Sequence, residues 1–220
     1  MLAWGVELTH LVRPASQGDA PHPALVLLHG LGSNEHDLFM FAGQVDPRLV
    51  VMSLRAPLAY DYGGYMWYDM AEGTGLQGET ISRNLAGLAD FLQTLPERYD
   101  LDPDRMYLGG FSQGAAMAGA TGLLHPDRVA GVIMLSGYLP PPDGDTRYFS
   151  GRAAGRPFFQ ANGTLDQIVL IDWGRATRDA LQRAGVDLTY REYPMGHEVS
   201  LPEMMDLSRW LDARLQDAAS

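Results

Sequence analysis

Short apolar segments alternate along the chain with longer segments whose apolar residues recur at helical spacing. Apolar residues occupy nearly every position of the short segments, which is typical of strands that are covered on both faces of a parallel sheet. The strands predicted in this way are 24–29, 48–54, 105–111, 128–135, 156–161 and 187–193.

The intervals between these strands contain apolar residues at helical spacing. One apolar face predicts a helix over 81–92 that ends before Pro96, and another predicts a helix over 173–184 that the following glycine ends. Ser200 and Glu203 have the spacing of a capping box, and the residues after them predict a C-terminal helix. A small-residue segment after the strand 105–111 predicts one further helix.

The alternation of strands and helices predicts an α/β fold with a mainly parallel, doubly wound sheet flanked by helices. The segment Pro140–Gly155 is rich in proline and glycine and is the one linker-like piece. Strands of the same character resume beyond it, so we expect a surface loop there. The prediction is therefore one domain over residues 1–220 without a separate cap domain.

Composition restricts the chemistry that this fold can carry. The 220 residues include no cysteine, which excludes disulfides, thiolate metal sites and a thiol nucleophile. All 16 basic residues are arginine, so Schiff-base chemistry and a P-loop lysine are excluded as well. The net charge of −11 disfavours nucleic acid and anionic membranes as partners and makes neutral or cationic substrates the expectation.

No targeting or membrane segment is apparent in the sequence. Glu7 interrupts the apolar start of the chain, and no basic residue precedes it, so a signal peptide is not expected. The longest apolar runs, such as Val129–Leu135, are far shorter than the roughly 20 residues of a membrane-spanning helix. We therefore expect a cytoplasmic protein without integral membrane association.

The pentapeptide Gly110-Phe111-Ser112-Gln113-Gly114 matches the pattern G-x-S-x-G. It follows a predicted strand directly and precedes a predicted helix, which is the setting of a nucleophile elbow. Glycines on either side of the serine permit close approach of backbone segments in a sharp turn. Ser112 is therefore the predicted nucleophile. The alternative is a glycine-rich strand end with an ordinary N-cap serine.

A serine hydroxyl needs a base to take its proton and an acid to orient that base. His197 and Asp166 both follow predicted strands, so both are expected at the carboxyl edge of the sheet, where ligands bind in such folds. The chain order Ser112, Asp166, His197 is that of α/β-hydrolases. Other acids in nearby loops remain open as the orienting residue, namely Asp143, Asp145 and Asp172.

A third part of such a site is a pair of N–H groups for the developing oxyanion. The backbone N–H groups of Leu31, after the first strand, and Gln113, after the nucleophile, are the candidates. A metal site on His29, His36 and Asp37 is an alternative from residue types alone, but no known metal-ligand spacing supports it. No metal or organic cofactor is therefore expected.

Six segments together resemble the small α/β-hydrolases that include carboxylesterases, lysophospholipases and acyl-protein thioesterases. They occur in the order of that family and cover nearly the whole chain: 27–37 (LLHGLGSNEHD), 66–70 (MWYDM), 105–118 (RMYLGGFSQGAAMA), 129–142 (VAGVIMLSGYLPPP), 162–169 (NGTLDQIV) and 193–200 (YPMGHEVS). The resemblance implies an α/β-hydrolase fold, a serine hydrolase with Ser112, Asp166 and His197 as its triad, and a homodimer.

Two features depart from the pattern of that family. Asn162 precedes Gly163 where the family usually has histidine, a change that bears on subfamily more than on mechanism. The segment Leu54–Tyr68 is unusually aromatic, and Trp67, Tyr68 and the more distant Leu139 are candidate substrate contacts. A packed aromatic loop is the alternative for this segment.

The expected reaction is hydrolysis of carboxylic esters with short or medium acyl chains. A thioesterase or a lysophospholipase on the same triad, a perhydrolase or lyase, and a binding protein that keeps the fold without turnover are the alternatives.

Overall fold

Seven strands form one sheet with the neighbour order β1-β3-β2-β6-β7-β8-β9. The computed structural model describes residues 7–73, 75–76, 78–141 and 147–217. The sheet strands are β1 (His10–Arg13), β2 (His22–Leu28), β3 (Val50–Leu54), β6 (Leu101–Phe111), β7 (Gly131–Leu135), β8 (Pro157–Gly163) and β9 (Asp187–Tyr193), and a separate hairpin has β4 (Leu58–Ala59) and β5 (Tyr65–Met66). All neighbouring strands of the sheet are parallel except β1, which pairs antiparallel with β3 at one edge.

Four α-helices of the described part of the chain cover the two faces of the sheet. They are α1 (Glu79–Tyr99), α2 (Gln113–Leu124), α3 (Ile171–Arg183) and α4 (Leu201–Asp217). Alternate residues of β2 point to opposite faces: Val26 packs in one apolar cluster with residues of α1 to α3, and Leu25 packs in a second with residues of α4. Burial on both faces explains why the strands are almost continuously apolar. The predicted α/β class is confirmed, and the described residues contain no separate cap domain.

Two local expectations need correction. Helix α1 does not end before Pro96 but continues to Tyr99. Proline within the last turn removes only the hydrogen bond to the carbonyl one turn back, and Asp100 then ends the helix in a left-handed conformation with φ of 52°. The second correction concerns β1, which the apolar pattern of the sequence did not predict as a strand. Its four residues are all half-buried, and they form a strand because β3 offers an open edge.

The catalytic candidates follow different strands at one edge of the sheet. Leu31 comes after β2, Ser112 after β6, Asp166 after β8 and His197 after β9. Because these four strands are parallel, their carboxyl ends meet at the same edge. Two of the alternative acids, Asp143 and Asp145, and with them part of the Pro140–Gly155 loop, lie outside the described residues. Among the residues described, no helix is long and apolar enough to span a membrane.

Helix α4 begins with the predicted capping box. Glu203 Oε2 accepts a hydrogen bond from the Ser200 N–H at 3.1 Å, and the Glu203 N–H donates to Ser200 Oγ at 3.4 Å. The Glu203 side chain is fully buried, and its Oε1 has no hydrogen-bond partner among the described residues. Burial of this carboxyl raises the pKa of Glu203 to about 7.

Replacing Glu203 with glutamine is expected to stabilise the protein at alkaline pH. A carboxyl whose pKa is raised by folding favours the native state only while it is protonated, so stability falls as the pH rises from the unfolded value through about 7. Glutamine resembles the protonated form. Urea unfolding at pH 8 should show Glu203→Gln more stable by up to about 3 kcal/mol, and the difference should vanish near pH 4. The exposed Glu97→Gln variant is the control, and a gain that did not depend on pH would contradict this explanation.

Candidate active site

The pentapeptide 110–114 forms a sharp turn between β6 and α2. Ser112 has φ of 54° and ψ of −116°, a strained conformation for a residue with a side chain. A Cβ atom added at Gly114 would overlap the carbonyl oxygen of Leu28, and one added at Gly110 would overlap the backbone of Gly114. Both glycines are therefore required for the turn that brings Ser112 to the carboxyl edge of the sheet.

Three side chains from different loops form a continuous hydrogen-bonded chain at this edge. Ser112 Oγ lies 2.9 Å from Nε2 of His197, and Nδ1 of the same imidazole lies 2.7 Å from Oδ2 of Asp166. The other carboxylate oxygen, Oδ1, accepts the backbone N–H groups of Ile168 at 2.8 Å and Val169 at 2.9 Å. A carboxylate held in this way orients the imidazole so that Nδ1–H faces the acid and Nε2 can accept the serine proton.

Backbone hydrogen bonds join the two loops that carry the acid and the base. The N–H of Thr164 donates to the carbonyl of Tyr193 at 2.8 Å, and the N–H of Leu165 donates to the carbonyl of Met195 at 3.1 Å. The Asp166 side chain is completely buried, whereas 19% of the His197 side chain is exposed. The imidazole is thus accessible from solvent while its carboxylate partner is shielded from it.

The two residues predicted to supply N–H groups for an oxyanion both lie beside the serine. Leu31 and Gln113 both line the groove beside Ser112. Gln113 is the first residue of α2, so its N–H has no partner inside the helix. In the described part of the chain, the Leu31 N–H donates no hydrogen bond either. Both groups are available to an anionic oxygen, and the N-terminus of α2 adds a favourable dipole.

A buried hydrogen-bond network lies behind this pair of N–H groups. The side chain of Gln113 accepts the N–H of Trp67 at 2.7 Å through Oε1 and donates to the carbonyl of Tyr68 at 2.9 Å through Nε2. Trp67 Nε1 donates to the carbonyl of His29 at 2.8 Å. Trp67 and Tyr68 are 1% and 0% exposed and do not line the groove. Their predicted role as substrate contacts is therefore corrected: they support the loops that carry Leu31 and Gln113.

Backbone groups contact both ring nitrogens of His29, which indicates a structural role for this residue. Its Nδ1 lies 2.7 Å from the carbonyl oxygen of Gly30, and its Nε2 accepts the backbone N–H of Ala56 at 3.0 Å. Both ring nitrogens are thus engaged in a fully buried position, and burial lowers the pKa of His29. This arrangement fits a neutral imidazole that fixes the loop after β2. It leaves no lone pair for the metal site considered as an alternative.

A groove with a volume of about 910 Å³ opens beside Ser112 and His197. Leu139, a predicted substrate contact, is among the residues that line it. Several large apolar residues in its wall were not predicted as contacts, namely Tyr138, Phe149, Ile168 and Trp173. Trp173 was assigned to the apolar face of a helix, but 49% of it is exposed. Helical spacing cannot distinguish a face that meets the core from one that meets a groove.

Two further residues were singled out in the sequence: Asp172, the remaining alternative acid, and Asn162, where the chain departs from the family pattern. Asp172 has a side chain that is 85% exposed and lies 3.7 Å from Arg175, so it does not contact the imidazole. Asn162 is fully buried, donates to the carbonyl of Gly137 at 3.0 Å and accepts from Gln160 at 2.8 Å. In the described part of the chain its amide hydrogen-bonds to Gly137 and Gln160 and to none of the three site side chains.

Comparisons with known proteins identify the family and the fold. The model of a family described as phospholipase/carboxylesterase matches residues 12–215. The chain is 30% identical over 212 residues to a probable carboxylesterase SOBER1-like of Arabidopsis thaliana, covering 89% of this chain and 80% of the relative. It is 27% identical to acyl-protein thioesterase 1 of Debaryomyces hansenii, covering 94% and 97%. The crystal structure of the Bacillus cereus carboxylesterase superposes with a TM-score of 0.80 at 25% identity, covering 95% of each chain.

Proposed function

The chain belongs to the phospholipase/carboxylesterase family and is a serine hydrolase, and on that premise we propose that it cleaves carboxylic esters through Ser112, His197 and Asp166. One observation carries the proposal. The imidazole of His197 is placed between the serine hydroxyl at 2.9 Å and the carboxylate at 2.7 Å, the arrangement that a serine nucleophile requires.

In the first half of the reaction, Ser112 Oγ attacks the ester carbonyl carbon while His197 Nε2 takes the hydroxyl proton. The carbonyl oxygen becomes an anion and is stabilised by the N–H groups of Leu31 and Gln113. When the carbon–oxygen bond to the alcohol breaks, His197 donates its proton to the leaving oxygen. Asp166 holds the ring in place and stabilises the imidazolium cation between these two transfers.

In the second half, water attacks the acyl-serine carbonyl. His197 takes a proton from the water, a second oxyanion forms in the same place, and the proton is returned to Ser112 Oγ as the acid leaves. The enzyme ends the cycle unchanged. Every proton transfer uses the one imidazole, and both tetrahedral intermediates use the same pair of N–H groups.

The groove supports esters with short or medium acyl chains as the substrate class. Its wall beside Ser112 is largely apolar, as required for a hydrocarbon chain. A thioester is the second candidate, because relatives such as the Debaryomyces hansenii protein are named acyl-protein thioesterase 1. Cytoplasmic location, the single-domain organisation and a homodimer stay predictions.

Fluorophosphonate labelling and a substrate series test this function together. We expect one equivalent of a fluorophosphonate probe to attach to Ser112, because the probe forms a stable analogue of the oxyanion intermediate. Nitrophenyl esters of increasing acyl length should be hydrolysed, and a matched thioester decides between the two candidate functions through the ratio of kcat/KM values. A folded protein that neither binds the probe nor turns over any ester would instead favour a binding protein.

A further inference from the structure

The far end of the groove is formed by helix α3. Its groove-facing residues recur every three or four positions: Trp173, Ala176, Thr177, Ala180 and Arg183. Ten residues of helix extend about 15 Å. Helix α3 starts directly after the loop that carries Asp166, so Trp173 lies at the catalytic end of the groove and Arg183 at the opposite end.

Arg183 is the charged residue at that opposite end. Its guanidinium carbon lies 5.2 Å from the ring centroid of Phe149, which also lines the groove. Arg183 forms no ion pair with any other residue that the structure describes. The two neighbouring arginines of α3 are different, because Arg175 pairs with Glu192 and Arg178 pairs with Asp179. The aromatic contact holds the Arg183 guanidinium at the groove while its N–H donors stay available.

The stretch of sequence that supplies this end of the groove has a surplus of arginine. Residues 147–183 supply the short turn with Phe149, strand β8 and helix α3, and they contain six arginines and three acidic residues. Their net charge is +3 in a chain of −11, so the rest of the chain carries −14. Of the arginines in this stretch, Arg183 is the one that lines the groove, so it is the cation that an anionic group in the groove would meet.

We propose that Arg183 binds an anionic group at the end of the acyl chain, so that the preferred substrates are esters of medium-chain acids with a terminal oxyanion. This inference rests on the proposed esterase function and specifies its substrate class. The acyl chain becomes attached to Ser112 in the first half of the reaction and is released in the second, and in the acyl-enzyme between them it lies along the apolar wall. At about 1.3 Å per carbon, which follows from a C–C bond of about 1.5 Å, a ten-carbon chain extends about 12 Å, and the long arginine side chain covers the remainder of the about 15 Å of helix.

Matched nitrophenyl esters test the proposal. The neutral decanoate, the monoester of the ten-carbon dicarboxylic acid, the methyl ester of that monoester and a chain with a terminal phosphate differ only at the far end. In the wild-type protein, kcat/KM should be highest for one of the two anionic chains, and their ratio shows whether carboxylate or phosphate is preferred. In Arg183→Gln, kcat/KM for the anionic chains should fall about 10- to 100-fold, the usual value of a charge-assisted contact, with less than about a twofold change for the neutral chains.

Arg175→Gln is the matched control, because it removes the same charge from the same helix at a residue that does not line the groove. If the two variants lose activity on anionic chains equally, the effect is long-range attraction and the contact with Arg183 is refuted. The proposal also fails if the wild-type protein prefers the neutral chains. Hydrolysis of neutral esters that depends on Ser112 would leave the esterase function standing in either case, whereas absence of all hydrolysis would overturn the function itself.

Discussion

Replacing Ser112 with alanine is expected to lower kcat for ester hydrolysis by about 10⁴- to 10⁶-fold, the largest loss that any single substitution in this chain should cause. The covalent route requires an oxygen within reach of the imidazole, and Ser112 Oγ at 2.9 Å supplies it. The N–H groups of Leu31 and Gln113 remain in the variant. They can still polarise a bound ester, so residual hydrolysis above the rate in water is expected.

The matched control is Ser208→Ala, which removes a hydroxyl from helix α4 outside the groove lining. Progress curves with a nitrophenyl ester should show wild-type rates for this control. Fluorophosphonate labelling should be lost in Ser112→Ala and retained in Ser208→Ala, while urea unfolding shows that both variants fold. Esterase activity in Ser112→Ala above a few per cent of wild type would assign the nucleophile elsewhere.

The sequence was sufficient to predict which edge of the sheet carries the candidate site residues, because the strands before them run in the same direction. Ser112, Asp166 and His197 each follow a strand of one parallel sheet, and parallel strands bring the residues after them to one edge. The glycine pattern around Ser112 added the sharp turn. The distances between the three side chains could not be predicted, since they depend on how the loops pack. The bonds from Thr164 to the end of β9 and from Leu165 to the loop after it are part of that packing.

The role of the aromatic segment Leu54–Tyr68 could not be predicted from the sequence. Trp67 and Tyr68 have the composition of a ligand contact, but their role depends on which partner their backbone groups meet. The side-chain amide of Gln113 binds both residues, and this contact joins positions 45 and 46 residues apart in the chain. The pattern of residues within a short segment gives no information about a contact between residues so far apart in the chain. The same limit applies to α3, where Trp173 was assigned to the apolar face of the helix but lines the groove together with Arg183.

Replacing Asp166 with asparagine is expected to lower kcat by about 10⁴-fold while the fold is retained. In the native protein Oδ1 accepts the N–H groups of Ile168 and Val169, and an asparagine oxygen can keep both bonds. The asparagine NH₂ group then replaces Oδ2 opposite His197 Nδ1, now 2.7 Å away. A donor at that position requires Nδ1 to become an acceptor, so the proton moves to Nε2 and the imidazole can no longer take the proton of Ser112.

Asp172→Asn makes the same chemical change at the exposed acid of α3 and serves as the control, with wild-type turnover expected. The ¹⁵N chemical shifts of the His197 ring give a readout that a merely structural role would not change, because they report which nitrogen carries the proton. Wild-type tautomer and turnover in Asp166→Asn would mean that another group orients His197. Loss of turnover with a shifted tautomer and an unchanged unfolding curve would instead localise the effect of Asp166 to the imidazole, since the two backbone bonds of Oδ1 keep the acid loop in place.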